Sequence, residues 1–210
     1  MSERDLREQI VQRGKSLFER RYTSGSSGNI SVKLPDGILI TPTNSSLGAL
    51  DADAISKVSW NGNHLSGDKP SKEAFLHLSM YRVRPQESSV VHLHSTWSVA
   101  VSCLADINPS DALPAITAYY VMRVGQLPVV DYFPPGDPGL AEAVERLAVT
   151  AYSLLLANHG PVVAGKSLDA AVNSIEELEE TARLYLLLRD LPTRFLSETQ
   201  CQQLRQMYPS

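Results

Sequence analysis

Apolar positions along this 210-residue chain change their period several times, and each change marks an element. Leu6, Ile10, Leu17 and Phe18 recur at helical spacing, which predicts a first helix over about Glu3 to Arg21. Ile30, Val32 and Leu34, then Ile38 and Ile40, alternate around Pro35-Asp36-Gly37, the pattern of a β-hairpin. Val58-Ser59-Trp60, closed by Asn61-Gly62, predicts another short strand. Pro70-Ser71 opens a helix to about Arg82, with Ser71 as its N-cap. Val90-Val91 reads as a buried strand running into His92-Leu93-His94, followed by a helix from about Trp97 to Leu104. Pro138 starts a helix to about Thr150, and Leu154-Leu155-Leu156 is a second buried strand. Ser167 caps a long helix through Leu188, with Leu168, Val172, Ile175 and Leu178 on one face. Ser197-Glu198-Thr199-Gln200 is a capping box for a last short helix. No repeat or linker divides the chain, so residues 1–210 read as one domain. Strands and helices are mixed without evident tandem βαβ units. The expected architecture is α/β in three layers, a mostly antiparallel central sheet between helices.

Composition narrows the function. Hydrophobic residues make up 43% and charged residues 20%, with a net charge of -4, as in a soluble globular protein. No basic stripe recommends nucleic acid, and no apolar run approaches the roughly 18 residues that span a bilayer. Met1-Ser2-Glu3-Arg4-Asp5 is charged and carries no apolar signal segment. Cys103 and Cys201 share no metal or redox spacing, so the reading is a cytoplasmic protein with reduced thiols.

Candidate chemistry starts at the histidines. Residues two apart on a strand point to one side, so His92 and His94 project together from a strand end. His159 ends the second buried strand at a turn marked by Asn158 and Gly160. Three imidazoles at two strand ends form a set suited to a divalent transition metal with a position open for substrate. His-x-His alone is a weak signal, since such pairs are more often solvated or hydrogen-bonded than metal-bound. Three of only five histidines falling at strand ends strengthens it. His64 sits in a polar turn at the surface. His77, four residues after Glu73, fits either a core histidine or a partner supporting the site.

Three hydroxyl-rich turns form a second constellation. Ser24-Gly25-Ser26-Ser27-Gly28-Asn29 joins the first helix to the hairpin, where glycines let backbone N–H groups converge on an anion. By composition alone it is more often a polar loop than an anion site, and it matches neither the P-loop nor the Rossmann spacing. Thr41-Pro42-Thr43-Asn44-Ser45-Ser46 follows the hairpin. Asp68-Lys69-Pro70-Ser71-Lys72 feeds a helix N-terminus, where free N–H groups favour phosphate. Glu73 follows, either stabilising the helix end or serving a metal site.

Together Ser26-Ser27-Gly28-Asn29-Ile30-Ser31, Thr41-Pro42-Thr43, Pro70-Ser71-Lys72-Glu73, His92-Leu93-His94-Ser95 and Asn158-His159-Gly160 resemble the class II aldolase/adducin family over nearly the whole chain. The resemblance implies zinc on His92, His94 and His159, with manganese or cobalt as alternatives. It makes Glu73 an acid/base that also ligates the resting metal. It places Ser27, Gly28, Asn29, Thr43, Asn44 and Ser71 around a substrate phosphate. It further implies a homotetramer with active sites between subunits, and a tyrosine from the neighbouring subunit as proton donor. Tyr119 is the choice and Tyr120 the reserve, since adjacent strand residues face opposite ways.

Two departures from the aldolases stand out, Ser71-Lys72-Glu73 for Ser-Ser-Glu and Thr43-Asn44 for Thr-Gly. Leu113 to Met122 and Tyr132-Phe133-Pro134-Pro135-Gly136-Asp137-Pro138 look like the branch that decarboxylates 3-oxo-tetronate 4-phosphates to dihydroxyacetone phosphate. Lys72 suits a substrate bearing both phosphate and carboxylate, although a solvated surface lysine is the plain alternative. A fuculose-1-phosphate-type aldolase, a pentulose-phosphate 4-epimerase and a metal-free, adducin-like interaction module remain the competing expectations. The complete set Glu73, His92, His94 and His159 argues against the last.

Overall fold

The computed structural model describes residues 1–134 and 137–208. In chain order the elements are α1 (Glu3–Glu19), β1 (Asn29–Leu34), β2 (Gly37–Ile40), β3 (Ser56–Ser59), β4 (His64–Ser66), α2 (Ala74–Val83), β5 (Ser89–His92) and α3 (Thr96–Ser102). There follow α4 (Ala118–Arg123), β6 (Val129–Val130), α5 (Gly139–Ala148), β7 (Ser153–Leu156), β8 (Gly160–Gly165), α6 (Leu168–Leu188) and α7 (Glu198–Met207). The strands form one sheet in the order β4-β3-β2-β1-β5-β8-β7-β6, antiparallel throughout except for β6 beside β7.

Consecutive residues of the central strands enter opposite cores. Leu39, Val91, Leu155 and Val163 pack with α1, α3, α4 and α6, whereas Ile38, Ile40, Val90, Leu154, Leu156 and Val162 pack with α2 and α5. Strands buried on both faces need apolar residues at every position, which explains the unbroken runs Val90-Val91 and Leu154-Leu155-Leu156. The expected three layers are therefore present. Ser167 caps α6 by accepting from the Ala170 N–H, and the Ser197–Gln200 capping box opens α7 as expected.

Three local expectations change. α2 begins at Ala74, and Ser71 is not its N-cap: its hydroxyl accepts the Glu73 N–H at 3.2 Å within the preceding turn. Tyr119 and Tyr120 lie on the helix α4 rather than on a strand, with Thr117 capping it through the Tyr120 N–H. Strands β4, β6 and β8 extend the sheet beyond the predicted elements. His64 thus opens an exposed edge strand rather than lying in a turn. Of the Tyr132–Pro138 segment, residues 135 and 136 lie outside the described residues.

Candidate metal centre

The site forms where β5 ends between β1 and β8. Asn29 and Val162 are the register partners of His92, the last residue of β5. Two glycines let neighbouring backbone close on this end. Gly28, at φ 80°, passes so near the His92 carbonyl that a Cβ would sit 2.9 Å from it. Gly160, at φ 145°, would place a Cβ 2.5 Å from the Leu93 carbonyl. Asn158, at φ 55°, takes the left-handed turn conformation that asparagine tolerates and so swings His159 back over the strand end. His94 lies two residues past His92, held by the start of α3. The buried Glu179 of α6 accepts the Trp97 and Ser98 N–H groups at 2.9 and 2.8 Å, and Ser95 donates to the Tyr22 carbonyl at 2.6 Å.

The three imidazoles converge. Nε2 of His92 lies 3.1 Å from that of His94 and 3.3 Å from that of His159, and the latter two are 3.1 Å apart. Glu73 closes the group, Oε1 lying 3.2 Å from His159 Nε2 and Oε2 3.6 Å from His92 Nε2. His92 donates Nδ1–H to the Pro161 carbonyl at 2.8 Å, which leaves a lone pair on Nε2. Basic atoms aimed at one point repel unless a cation lies among them. Metal–nitrogen bonds of about 2.0–2.1 Å in a tetrahedral site give nitrogen–nitrogen edges of about 3.3 Å. The donor set fits a divalent transition metal, which His92, His94, His159 and Glu73 could hold.

Electrostatics favour the same state. Burial holds the His92 imidazole below its ordinary value and pushes His94 down to about 4, so both rings stay neutral and able to ligate. Burial alone would raise the Glu73 carboxyl, yet it lies well below the usual carboxylate range because His92, His159 and Asn29 favour the anion. With His92 neutral, the hydrogen bond from Asn29 carries that effect rather than a histidinium. Asn29 Nδ2 donates to Glu73 Oε2 at 2.6 Å. Glu73 occupies the N-cap position of α2 but makes no capping bond, so its carboxylate is free for the centre.

The hydroxyl-rich turns meet beside it. The Ser71 N–H donates to the Thr41 carbonyl, and the Thr43 N–H to the Lys69 carbonyl. Thr41 Oγ1 accepts from the Ile30 N–H, tying both turns to the end of β1. Asn44 adopts φ 58°, and Ser27 folds back on Ser24 through a 2.7 Å bond. Gly28, Asn29, Thr43 and Ser71 are thereby grouped near Glu73.

Comparison with known proteins turns this geometry into a family. Residues 8–186 match the model of the Class II Aldolase and Adducin N-terminal domain. The chain belongs to the class II aldolase and adducin family. It is 50% identical over 204 residues to the 3-oxo-tetronate 4-phosphate decarboxylase of Escherichia coli K12, covering 97% of this chain and 96% of that protein. The crystal structure of Escherichia coli YgbL superposes with a TM-score of 0.94 at 48% identity, covering 97% and 99% of the two chains. An L-fuculose 1-phosphate aldolase structure gives 0.89 at 26% identity over 98% and 97%.

Tyr119 is not brought to its own centre. It is 57% exposed, with Arg123 5.1 Å from its ring. Arg123 lines a cavity of about 310 Å³ with Glu87, Gly165 and Lys166, at the Ser89–Gly165 end of the β5–β8 pair and away from His92. Tyr120 is buried, its hydroxyl 3.3 Å from the Leu113 carbonyl. One further participant, Glu179, escaped the sequence reading, whereas His77 was read as either a core histidine or a partner supporting the site. Glu179 lies one turn past Ile175 on the apolar face of α6, an acid where a hydrophobic residue would be expected. His77 is fully buried and bonded to Asn29 and Ser31.

Proposed function

We propose that this chain is a carbon–carbon lyase that removes carbon dioxide from 3-oxo-tetronate 4-phosphate, leaving dihydroxyacetone phosphate. The observation that carries the chemistry is the convergence of three imidazole nitrogens and the Glu73 carboxylate on one point. The extended likeness to a decarboxylase of that substrate carries the choice of reaction. Cleavage of C1–C2 releases carbon dioxide and leaves the bonding electrons on C2 beside the C3 carbonyl. Protonation at C2 completes the product. Zinc on His92, His94 and His159 would supply the Lewis acid that stabilises the resulting enediolate.

The remaining work falls to the chain. Glu73, ionised and desolvated, takes the proton of the C2 hydroxyl as the enediolate forms and returns it to that oxygen in the product, its geometry set by Asn29. Ser27, Gly28, Thr43, Asn44 and Ser71 surround the phosphate, the Gly28 and Asn44 N–H groups and the Thr43 and Ser71 hydroxyls serving as donors, and the second N–H of Asn29 is available on the same side. Lys72 is exposed and forms no ion pair among the described residues, so its ammonium is free to meet the substrate carboxylate. Tyr119 donates a proton in a neighbouring subunit's site. Its exposure and its distance from its own centre both favour a shared site in a homotetramer.

An aldolase reading, which the likeness to L-fuculose 1-phosphate aldolase favours, shares the same enediolate and differs only in the group that leaves. Incubation with 3-oxo-tetronate 4-phosphate and, separately, fuculose 1-phosphate decides between them. Carbon dioxide with dihydroxyacetone phosphate from the first alone is expected. Cleavage of the second alone would replace the decarboxylase by an aldolase. Inactive Tyr119→Phe and Glu73→Gln proteins, mixed under conditions of subunit exchange, should regain activity at interfaces that pair an intact Tyr119 with an intact Glu73. A mixture as inactive as its parents would remove the shared site.

A further inference from the structure

The layer between β1 and α2 is apolar along most of its length but contains a line of four buried polar side chains. Asn29 and Ser31, two apart on β1, face α2. Glu73, His77 and Tyr81, four apart, present one side of α2 and the turn before it to β1. Tyr81 Oη lies 2.9 Å from Ser31 Oγ, Ser31 Oγ 2.7 Å from His77 Nδ1, His77 Nε2 2.5 Å from Asn29 Oδ1, and Asn29 Nδ2 2.6 Å from Glu73 Oε2. Ser31 and His77 are fully buried, and Asn29 and Tyr81 nearly so.

Chemistry dictates the direction of every bond in this line. An ionised carboxylate only accepts, so the end of Asn29 facing Glu73 must be the NH2 group. The opposite end is then the carbonyl oxygen, which needs a donor. Among the described residues Nε2–H of a neutral His77 is the donor placed there, so Nδ1 must accept. Ser31 therefore donates to Nδ1, and its oxygen is left to accept from the Tyr81 hydroxyl. All four bonds point toward the carboxylate. Asn29 cannot rotate its amide without breaking its bond to His77, and Glu73 is therefore held by a rigid partner rather than by solvent.

We propose that His77 is a positioning residue for Glu73, acting through Asn29 and backed by Ser31 and Tyr81. It touches no substrate; it fixes the amide that fixes the carboxylate. The proposal rests on Glu73 as the proton carrier of the preceding section. Misplacing such a group by about 1 Å can cost up to about 10²-fold in rate.

The test uses the full chain loaded with zinc. His77→Leu removes the donor to Asn29 while filling similar space, and should lower kcat by roughly tenfold or more with KM changed less than about twofold. His77→Gln, whose amide N–H reaches near the Nε2 position, should restore most of kcat. In a Glu73→Gln background, His77→Leu should cost little further, because the group it positions is gone. Zinc content should stay at the wild-type stoichiometry in all three. If His77→Leu does not fold, Ser31→Ala and Tyr81→Phe should lower kcat in that order, the larger loss nearer His77.

A purely structural His77 would give a stability loss with kcat unchanged in the folded fraction, no recovery of rate in His77→Gln, and the same factor in either background. Any of these overturns the proposal. Wild-type kcat in Glu73→Gln overturns it by another route, since the reading of Glu73 on which it rests then fails. An impaired Glu73→Gln beside an unimpaired His77→Leu sinks the positioning role alone.

Discussion

The two ends of the β5–β8 pair both bury polar groups but resolve them in different ways. At the Ser89–Gly165 end, Arg84 pairs with the buried Glu87 at 3.2 Å, donates to the Ala148 carbonyl at 3.0 Å and lies over Tyr152. Ser88 donates to the Lys166 carbonyl. The Glu87, Ala148 and Lys166 oxygens there each face a donor, and the two buried atoms left without a partner, Arg84 Nε and Ser89 Oγ, bring no set of lone pairs to a common point. At the His92–Gly160 end, Pro161 and Asn29 satisfy the outer atoms of His92 and Glu73, and the inner atoms are left aimed at one another. Burial of polar groups therefore does not by itself mark a site. What marks it is convergence of lone pairs with no donor among them, which costs stability unless a cation resolves it.

The largest effect should come from removing one of those lone pairs. His92→Ala should lose bound metal and activity together while the protein stays folded. Full metal occupancy in that variant, read by elemental analysis, would end the assignment. Glu87→Ala makes the contrasting break at the closed end. It leaves the half-buried Arg84 without its carboxylate and should cost up to about 3 kcal/mol of unfolding free energy. Metal stoichiometry and kcat of the folded fraction should be unchanged. A loss of metal there would show that the two ends are coupled and that the contrast drawn between them is false.

Glu73→Gln separates holding from reacting within the open end. The amide keeps shape but loses the charge that handles a proton, so turnover should fall by about 10²-fold or more with substrate affinity largely kept. A near wild-type kcat would remove Glu73 from the chemistry.

How much of this could be read beforehand follows from how local each cause is. His92 and His94 were legible because a strand's period is two, and His159 because Asn158 and Gly160 declare a turn. Both facts lie within a few residues. Strand β8 was hidden because Gly160-Pro161 reads as a continued turn. Only its pairing with β5 and β7 makes it the strand whose carbonyl orients His92. Tyr119-Tyr120-Val121 has strand-like composition, and tertiary contacts of α4 with α6 and α7 override it. Ser71 has the composition of an N-cap, but its bond to the Glu73 N–H leaves Glu73 at the helix boundary. The spacing of Glu73, His77 and Tyr81 by four and of Asn29 and Ser31 by two was present in the chain. Its meaning required knowing that β1 lies under α2.

The smallest effect tests how the open end is kept neutral. Burial pushes His77 down to about 3, and it also lowers His92 and His94. For a histidine depressed in the folded state, the unfolded chain binds the proton first as pH falls. Stability is therefore fully present above the unfolded value of about 6.5 and declines below it until the folded value is reached. Each such group contributes a slope of up to about 1.4 kcal/mol per pH unit in that window. His77→Gln removes one titrating group from the buried line while keeping a donor to Asn29. Urea denaturation of metal-free protein at pH 7, 6 and 5 should show the wild type losing stability more steeply than His77→Gln, with the gap opening only below about pH 6.5. Parallel lines for the two proteins would mean that His77 takes up a proton in the folded state as readily as in the unfolded one. The open end would then not be the dry, neutral environment that its bonding implies.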